Sequence, residues 1–252
     1  MSGTLVVNEI YLSLQGESTY AGLPCIFVRL TACNLRCSYC DTGYAFAQGQ
    51  KIDLEEIVGR VEKLAEPFKA QLPARLSAAG ETAKLPLVEL TGGEPLLQVN
   101  ALPLMATLCD RGYTVLVETS GALDIGSVDP RVRRIMDLKC PSSGEADRNR
   151  WENLSLLKAS DEIKFVIGTR EDYDWTRDQI RAHRLSEKCS LLVSWVHPLQ
   201  PAQRDKSLKA VPQGHTPISR QELAQRIIDD ALPVRFQVQL HKIIWPPDQR
   251  GV

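Results

Sequence analysis

The chain has 252 residues, 43% hydrophobic and 24% charged, with a formal net charge of −1 at pH 7. That length suits one large α/β domain, and the near-neutral charge argues against general nucleic-acid binding. No apolar run approaches the ~20 residues of a membrane-spanning helix. The opening segment MSGTLVVNEIYLSLQGES lacks the basic-then-apolar pattern of a secretion signal, so a reducing cytoplasmic setting is expected.

In chain order, residues 6–12 read as a first strand, and IFVRL at 26–30 as a short apolar strand. Residues 53–65 read as a helix. Asp53 and Glu56 suggest a capping box, and Leu54, Ile57, Val58, Val61 and Leu64 share one face. Residues 66–84, with their prolines, alanines and glycine, read as loop or broken helix. A strand at 85–90 precedes a partly helical 96–111, interrupted near Pro103. Strands are expected at 113–117, 134–138, 162–167 and 190–196, and a helix at 170–185. A long polar loop spans 197–217. Ser219 and Glu222 start a helix running to about 231, and 235–244 reads as a last strand.

Alternating strands and helices imply a mainly parallel sheet. The segment from 118 to 134 is too short for a long helix, so the expected fold is an incomplete (β/α) barrel with some helices reduced. One domain is expected over 1–252. Polar signatures follow the strands: CNLRC after IFVRL, TGGEP after LVEL, ETSG after TVLV, and KCPSSG after IMDL. In a parallel barrel such loops share the C-terminal face, where active sites sit.

The first of these loops carries Cys33, Cys37 and Cys40 in Cys-x3-Cys-x2-Cys spacing. Three thiolates on one loop can hold three irons of a 4Fe-4S cluster, leaving the fourth open to a small molecule. Structural zinc would want four closed ligands, but there is one Cys-x2-Cys pair, and the four histidines are scattered. Seven cysteines, an odd count, fit a disulfide framework poorly. Cys25, Cys109, Cys140 and Cys189 read as core or loop residues.

The triplet together with TGGEP at 91–95 resembles the radical S-adenosylmethionine superfamily. LSLQGES at 12–18, CIFVRL with Arg29, CDT at 40–42, ETSG, DLKCPSSG and QLHK narrow the resemblance to the 7-carboxy-7-deazaguanine synthase family. It covers nearly the whole chain and is weakest over 66–84 and 200–217.

The resemblance implies ring contraction of 6-carboxy-5,6,7,8-tetrahydropterin to 7-carboxy-7-deazaguanine with loss of ammonia, in 7-deazapurine and queuosine biosynthesis. It implies a 4Fe-4S cluster on Cys33, Cys37 and Cys40, and S-adenosylmethionine cleaved to a 5′-deoxyadenosyl radical and re-formed after turnover. Tyr39, Asp41, Gly92, Gly93, Glu94, Glu118, Ser120, Pro141, Ser142 and Ser143 would hold that cofactor. Leu14, Gln15, Gly16, Glu17, Arg29, Thr91 and His241 would bind the pterin, with Arg29 as a bidentate clamp on its carboxylate. Thr42 would help hold Mg2+.

A reductant such as flavodoxin or ferredoxin is implied, and the incomplete barrel with an apolar last strand suggests a homodimer. The tail IIWPPDQRGV either reaches the site or makes a dimer contact through Trp245 and its Pro-Pro pair. The alternative reading is another radical S-adenosylmethionine enzyme, such as a protein-radical activase; a zinc-binding module without enzymatic activity is a third.

Overall fold

A computed structural model describes residues 3–70, 74–75 and 82–252. Nine strands form one sheet: β1 (Thr4–Leu14), β2 (Pro24–Leu30), β3 (Gln50–Asp53), β4 (Leu87–Gly92), β5 (Val115–Thr119), β6 (Arg133–Asp137), β7 (Glu162–Ile167), β8 (Ser190–Trp195) and β9 (Arg235–Gln237). Their order is β9-β8-β7-β6-β5-β4-β2-β1-β3. Strands β2 and β4 to β9 run parallel, while β1 pairs antiparallel with both β2 and β3. The sheet is open: β3 and β9 lie at its two edges, so the barrel is incomplete, as its sequence pattern implies.

The helices are α1 (Leu54–Ala65), α2 (Ala101–Asp110), α3 (Arg170–Ala182), α4 (Arg220–Asp229) and the short α5 (His241–Ile244). Strand side chains alternate between faces, and every second residue packs toward a helix. Ile26, Val28, Leu30, Val88, Leu90, Val115 and Val117 join Leu54, Ile57, Leu104 and Met105 in one core cluster. Met136, Ile163, Phe165, Ile167, Leu191 and Val193 join Tyr173, Ile180, Leu223 and Ile227 in a second. No α-helix separates β5 from β6 or β6 from β7; the β6–β7 connection carries three short 3-10 turns.

Four local expectations change. The Asp53 side chain makes no cap bond; the Leu54 amide donates instead to the Gly3 carbonyl at 3.0 Å. Pro103 does not interrupt α2. It is the third residue of the helix, within the first turn, where amides have no intrahelical acceptor. The expected last strand ends at Gln237, and the chain turns inward because the Leu240 amide donates to the Gly16 carbonyl at 3.2 Å. In the 66–84 stretch, residues 71–73 and 76–81 lie outside the described residues. Ala74–Arg75 pairs there with Thr82–Ala83.

Candidate active site

The inward face of the sheet changes character along the strands. Cys25, Leu87, Leu116 and Ile135 form a small apolar plug with Phe27 and Tyr20. Toward the C-terminal ends the inward positions become Arg29, Glu89, Thr91, Glu118, Asp137 and Lys164, which line a cavity of about 770 Å³. Arg29 pairs in register with Thr91, and Asp137 with Lys164. Pairing fixes their height, and period-2 alternation fixes their direction.

Cys33, Cys37 and Cys40 line the same cavity, all as free thiols. Their loop starts at Ala32, held at φ 77°, a left-handed conformation that costs a non-glycine residue roughly 1–2 kcal/mol. Neighbouring segments fix it there. The Ala32 amide donates to the Ala45 carbonyl at 2.9 Å, and the Ala32 carbonyl accepts from the Glu94 amide at 2.8 Å. A Cβ on Gly93 would run into the Ala32 carbonyl and come within 2.9 Å of the Cys33 Cβ, and one on Gly92 would meet the Leu30 backbone. The two glycines therefore let β4 and its following turn seat the cysteine loop closely.

Burial pushes Cys37 up to about 11 and Cys40 up to about 12, and it raises Cys33 against the Leu35 amide that donates to its sulfur. Iron ligation there would require these thiols to give up their protons. Among the described residues, no three His, Cys, Asp or Glu side chains converge on one metal ion. Three buried polar atoms on the cavity wall also lack partners among the described residues: Glu17 Oε1, Tyr39 OH and Asp137 Oδ1. Buried polar atoms are normally satisfied, so these fit a polar ligand.

Comparison with known proteins decides the lineage. The Radical SAM superfamily model matches residues 28–199. The chain is 44% identical to the 7-carboxy-7-deazaguanine synthase of Koribacter versatilis over 98% of this chain and 99% of the relative. It is 41% identical to the synthase of Chlorobaculum tepidum over 98% of this chain and 97% of the relative. The chain belongs to the 7-carboxy-7-deazaguanine synthase family. A solved structure, QueE from Escherichia coli, shares its fold at TM-score 0.65 and 18% identity, over 94% of this chain and 95% of that one.

Of the sequence-predicted residues, this synthase-family cavity brings together Leu14, Gln15, Gly16, Glu17, Arg29, Tyr39, Asp41, Thr42, Thr91, Gly92, Gly93, Glu118, Ser120 and His241 with the three cysteines. Glu94, Pro141, Ser142 and Ser143 do not line it. The Glu94 carboxylate is buried behind the wall and accepts from the Leu96 amide, the Thr119 hydroxyl, and the Ser120 amide and hydroxyl. It ties the GGE turn to the end of β5. Ser142 donates its amide and hydroxyl to Asp172, at 2.7 and 2.5 Å, and Ser143 donates its hydroxyl to the Cys140 carbonyl at 2.6 Å. Their own carbonyls accept from the hydroxyl and amide of Ser38, so this turn braces the cysteine loop.

The substrate-side residues are held as firmly. The Gln15 amide is used internally: its oxygen accepts from the Glu17 and Ser18 amides at 2.8 and 2.9 Å, and Nε2 donates to Glu89 at 3.1 Å. It shapes the QGES turn. Gly16 admits His241, whose Nδ1 would lie 3.0 Å from a Cβ there. Arg29 donates to Glu9 and to the Tyr11 hydroxyl, both at 2.7 Å, and Tyr44 also reaches Glu9. Thr42 donates to Asp41 at 2.8 Å, and Lys242 forms an ion pair with the same carboxylate. Burial would raise the pKa of Asp41, but the Lys242 ammonium holds it well below the usual range.

Several cavity residues carry signals that sequence reading passed over. Glu89, Asp137 and Lys164 are charged residues inside apolar strands, at inward period-2 positions. Lys139 forms an ion pair with Asp137 at 2.7 Å. The tail is a further component: Pro247 to Val252 line the cavity mouth, the Pro247 carbonyl accepts from Gln203, and Arg250 stacks on Tyr44.

Proposed function

We propose that this cavity converts 6-carboxy-5,6,7,8-tetrahydropterin into 7-carboxy-7-deazaguanine and ammonia, on the route to 7-deazapurines such as queuosine. One observation carries the reading: the cysteine loop, the QGE turn, Arg29, Thr91 and His241 line a single cavity, in a chain whose near-full-length relatives are named for this reaction. Those names also favour it over a protein-radical activase. The volume lies high in the usual range for small-molecule sites, which suits a cofactor beside a bicyclic substrate.

Cys33, Cys37 and Cys40 would hold a 4Fe-4S cluster. When bound, the cluster and S-adenosylmethionine supply one-electron chemistry and a carbon radical that takes a substrate hydrogen. The chain's own part is placement. The open edges of Arg29, oriented by Glu9 and Tyr11, face the cavity and would take the substrate carboxylate. Glu17 Oε1, with no partner of its own, is an acceptor for the pterin's amino or lactam N–H groups. Thr91, His241 and the backbone of Leu14 to Gly16 complete that side.

On the cofactor side, Tyr39, Asp41, the Gly92–Gly93 backbone, Glu118 and Ser120 line the cavity and would hold S-adenosylmethionine. Glu94 and Pro141 to Ser143 act by fixing the surrounding loops. Thr42 presents one hydroxyl to Mg2+, whose remaining shell would be water and substrate oxygens. We read 1–252 as a single radical core domain. Its N-terminal segment binds substrate and its C-terminal extension covers the mouth. It would work as a cytoplasmic homodimer supplied by flavodoxin or ferredoxin.

Anaerobic incubation of the reconstituted protein with the carboxy-tetrahydropterin, S-adenosylmethionine, reductant and Mg2+ tests the reading. Deazaguanine and one equivalent of ammonia are expected. A brown, four-iron protein that forms neither would overturn it.

A further inference from the structure

One carboxyl group on the cavity floor has no task in the account above. Glu89 is 1% exposed and lines the cavity, directly above the plug of Cys25, Leu87, Leu116 and Ile135. Among the described residues it forms no salt bridge, and its side chain accepts only the Gln15 amide, at 3.1 Å. The groups facing it are Tyr11 of β1, Cys25 and Arg29 of β2, Glu118 of β5 and Lys164 of β7. Both cations are engaged elsewhere: Arg29 with Glu9, and Lys164 with Glu17 and Glu118. Burial, and then repulsion from Glu118, push Glu89 up to about 8, against the Gln15 hydrogen bond and the Lys164 charge. Its surroundings favour the protonated form, on a wall that also carries the Lys164 and Lys139 ion pairs.

We propose that Glu89 is the general acid–base for the loss of ammonia, a role that rests on the ring-contraction reading above. The overall conversion removes one ammonia and no electrons. After contraction, the displaced nitrogen must leave with a proton, and the ring must give up a proton to become aromatic. Glu89 gives its proton to the amine as the C–N bond breaks and the bonding pair departs with nitrogen. The Glu89 carboxylate then takes the ring proton, whose C–H electrons form the new double bond. Ammonia leaves neutral and the acid is restored. Glu89 has no salt-bridge partner among the described residues while Glu118 is bound to Lys164, so the two carboxyls sit in diverging environments, the pattern that marks an acid–base assignment.

Glu89→Gln keeps the shape and an acceptor for Gln15. With the cluster spectrum unchanged, product formation should fall by about 100-fold or more, the scale of a lost general acid. Deuterium transfer from substrate to S-adenosylmethionine should continue, and a species retaining the amine should accumulate. Glu89→Asp, which keeps an acid, should recover part of the rate. The wild-type rate should fall as pH rises through about 8, where Glu89 loses its proton, and Glu89→Gln should lack that limb. Difference infrared spectra of the substrate-free protein should show a protonated carboxyl band at pH 7 that Glu89→Gln removes.

A Glu89→Gln rate within threefold of wild type, loss of deuterium transfer together with product, or no such band would overturn the proposal. If wild type forms no deazaguanine, the parent reading falls with it. If wild type turns over and Glu89→Gln does so equally well, only this inference falls.

Discussion

Replacing Lys164 by Met tests how the polar layer of the cavity is held. The Lys164 side chain is 3% exposed; its ammonium lies 2.8 Å from Glu17 Oε2 and also binds Glu118. Burial alone would lower its pKa, but Glu118 and Glu17 outweigh burial and keep it charged. Methionine nearly matches the aliphatic stem but strands two carboxylates. Breaking a buried pair from one side costs ~3–5 kcal/mol. The Glu17 and Glu118 side chains retain 16% and 29% exposure, so the lower end, about 3 kcal/mol, is expected.

The pH dependence follows from Glu17. Burial would raise its pKa, yet Lys164 brings it down from 4.5 to about 2. A carboxylate depressed in the folded state stabilises above its unfolded pKa, and that stability is lost as pH falls through the folded value. Without Lys164, burial acts unopposed on Glu17 and the stranded carboxylate can escape by protonation, so the deficit should be largest near pH 8 and narrow toward pH 5. Urea midpoints followed by circular dichroism at matched cluster content measure it. A deficit under 1 kcal/mol, or one that widens toward pH 5, would refute the ion-pair account.

Gly93→Ala should fold but lose iron, because its new Cβ displaces Ala32 and Cys33; iron per chain after reconstitution checks this, and full occupancy would mean the loop adapts. Arg29→Ala should raise the substrate KM at least tenfold and leave the cluster absorbance intact, since Arg29 contacts Glu9 and Tyr11 rather than the cysteine loop. A lost cluster would make Arg29 structural.

Most parts of the site legible in the sequence lie on loops or at the C-terminal ends of strands. Cys33, Cys37, Cys40, the QGE turn and the GGE turn stand out because polar and glycine-rich clusters interrupt apolar strands. Glu89 and Lys164 were harder to see. Inside LPLVEL and EIKFVI they look like noise in a buried run, and only the inward phase shared with Arg29, Thr91, Glu118 and Asp137 gives them meaning. Glu94, Ser142 and Ser143 have residue types that suit ligand contact, yet their side chains hydrogen-bond to neighbouring protein groups: amides and hydroxyls for Glu94, the Asp172 carboxylate for Ser142 and the Cys140 carbonyl for Ser143. The terminal RFQVQLHKII alternates like a strand, but contacts from Leu240 to Gly16 and from Lys242 to Asp41 turn it inward, a tertiary override of local pattern. A mainly parallel sheet is implied by the alternation, whereas the strand order and the open edges at β3 and β9 depend on pairing that no single segment encodes.

We propose that one cavity presents a carboxylated pterin to a radical generated at the cysteine loop. Substrate deuterated at the carbon bearing the carboxylate, turned over anaerobically in excess of enzyme, tests this. Deuterium accumulating in recovered S-adenosylmethionine, alongside deazaguanine, is the predicted result. Product with no deuterium in the cofactor pool would contradict it.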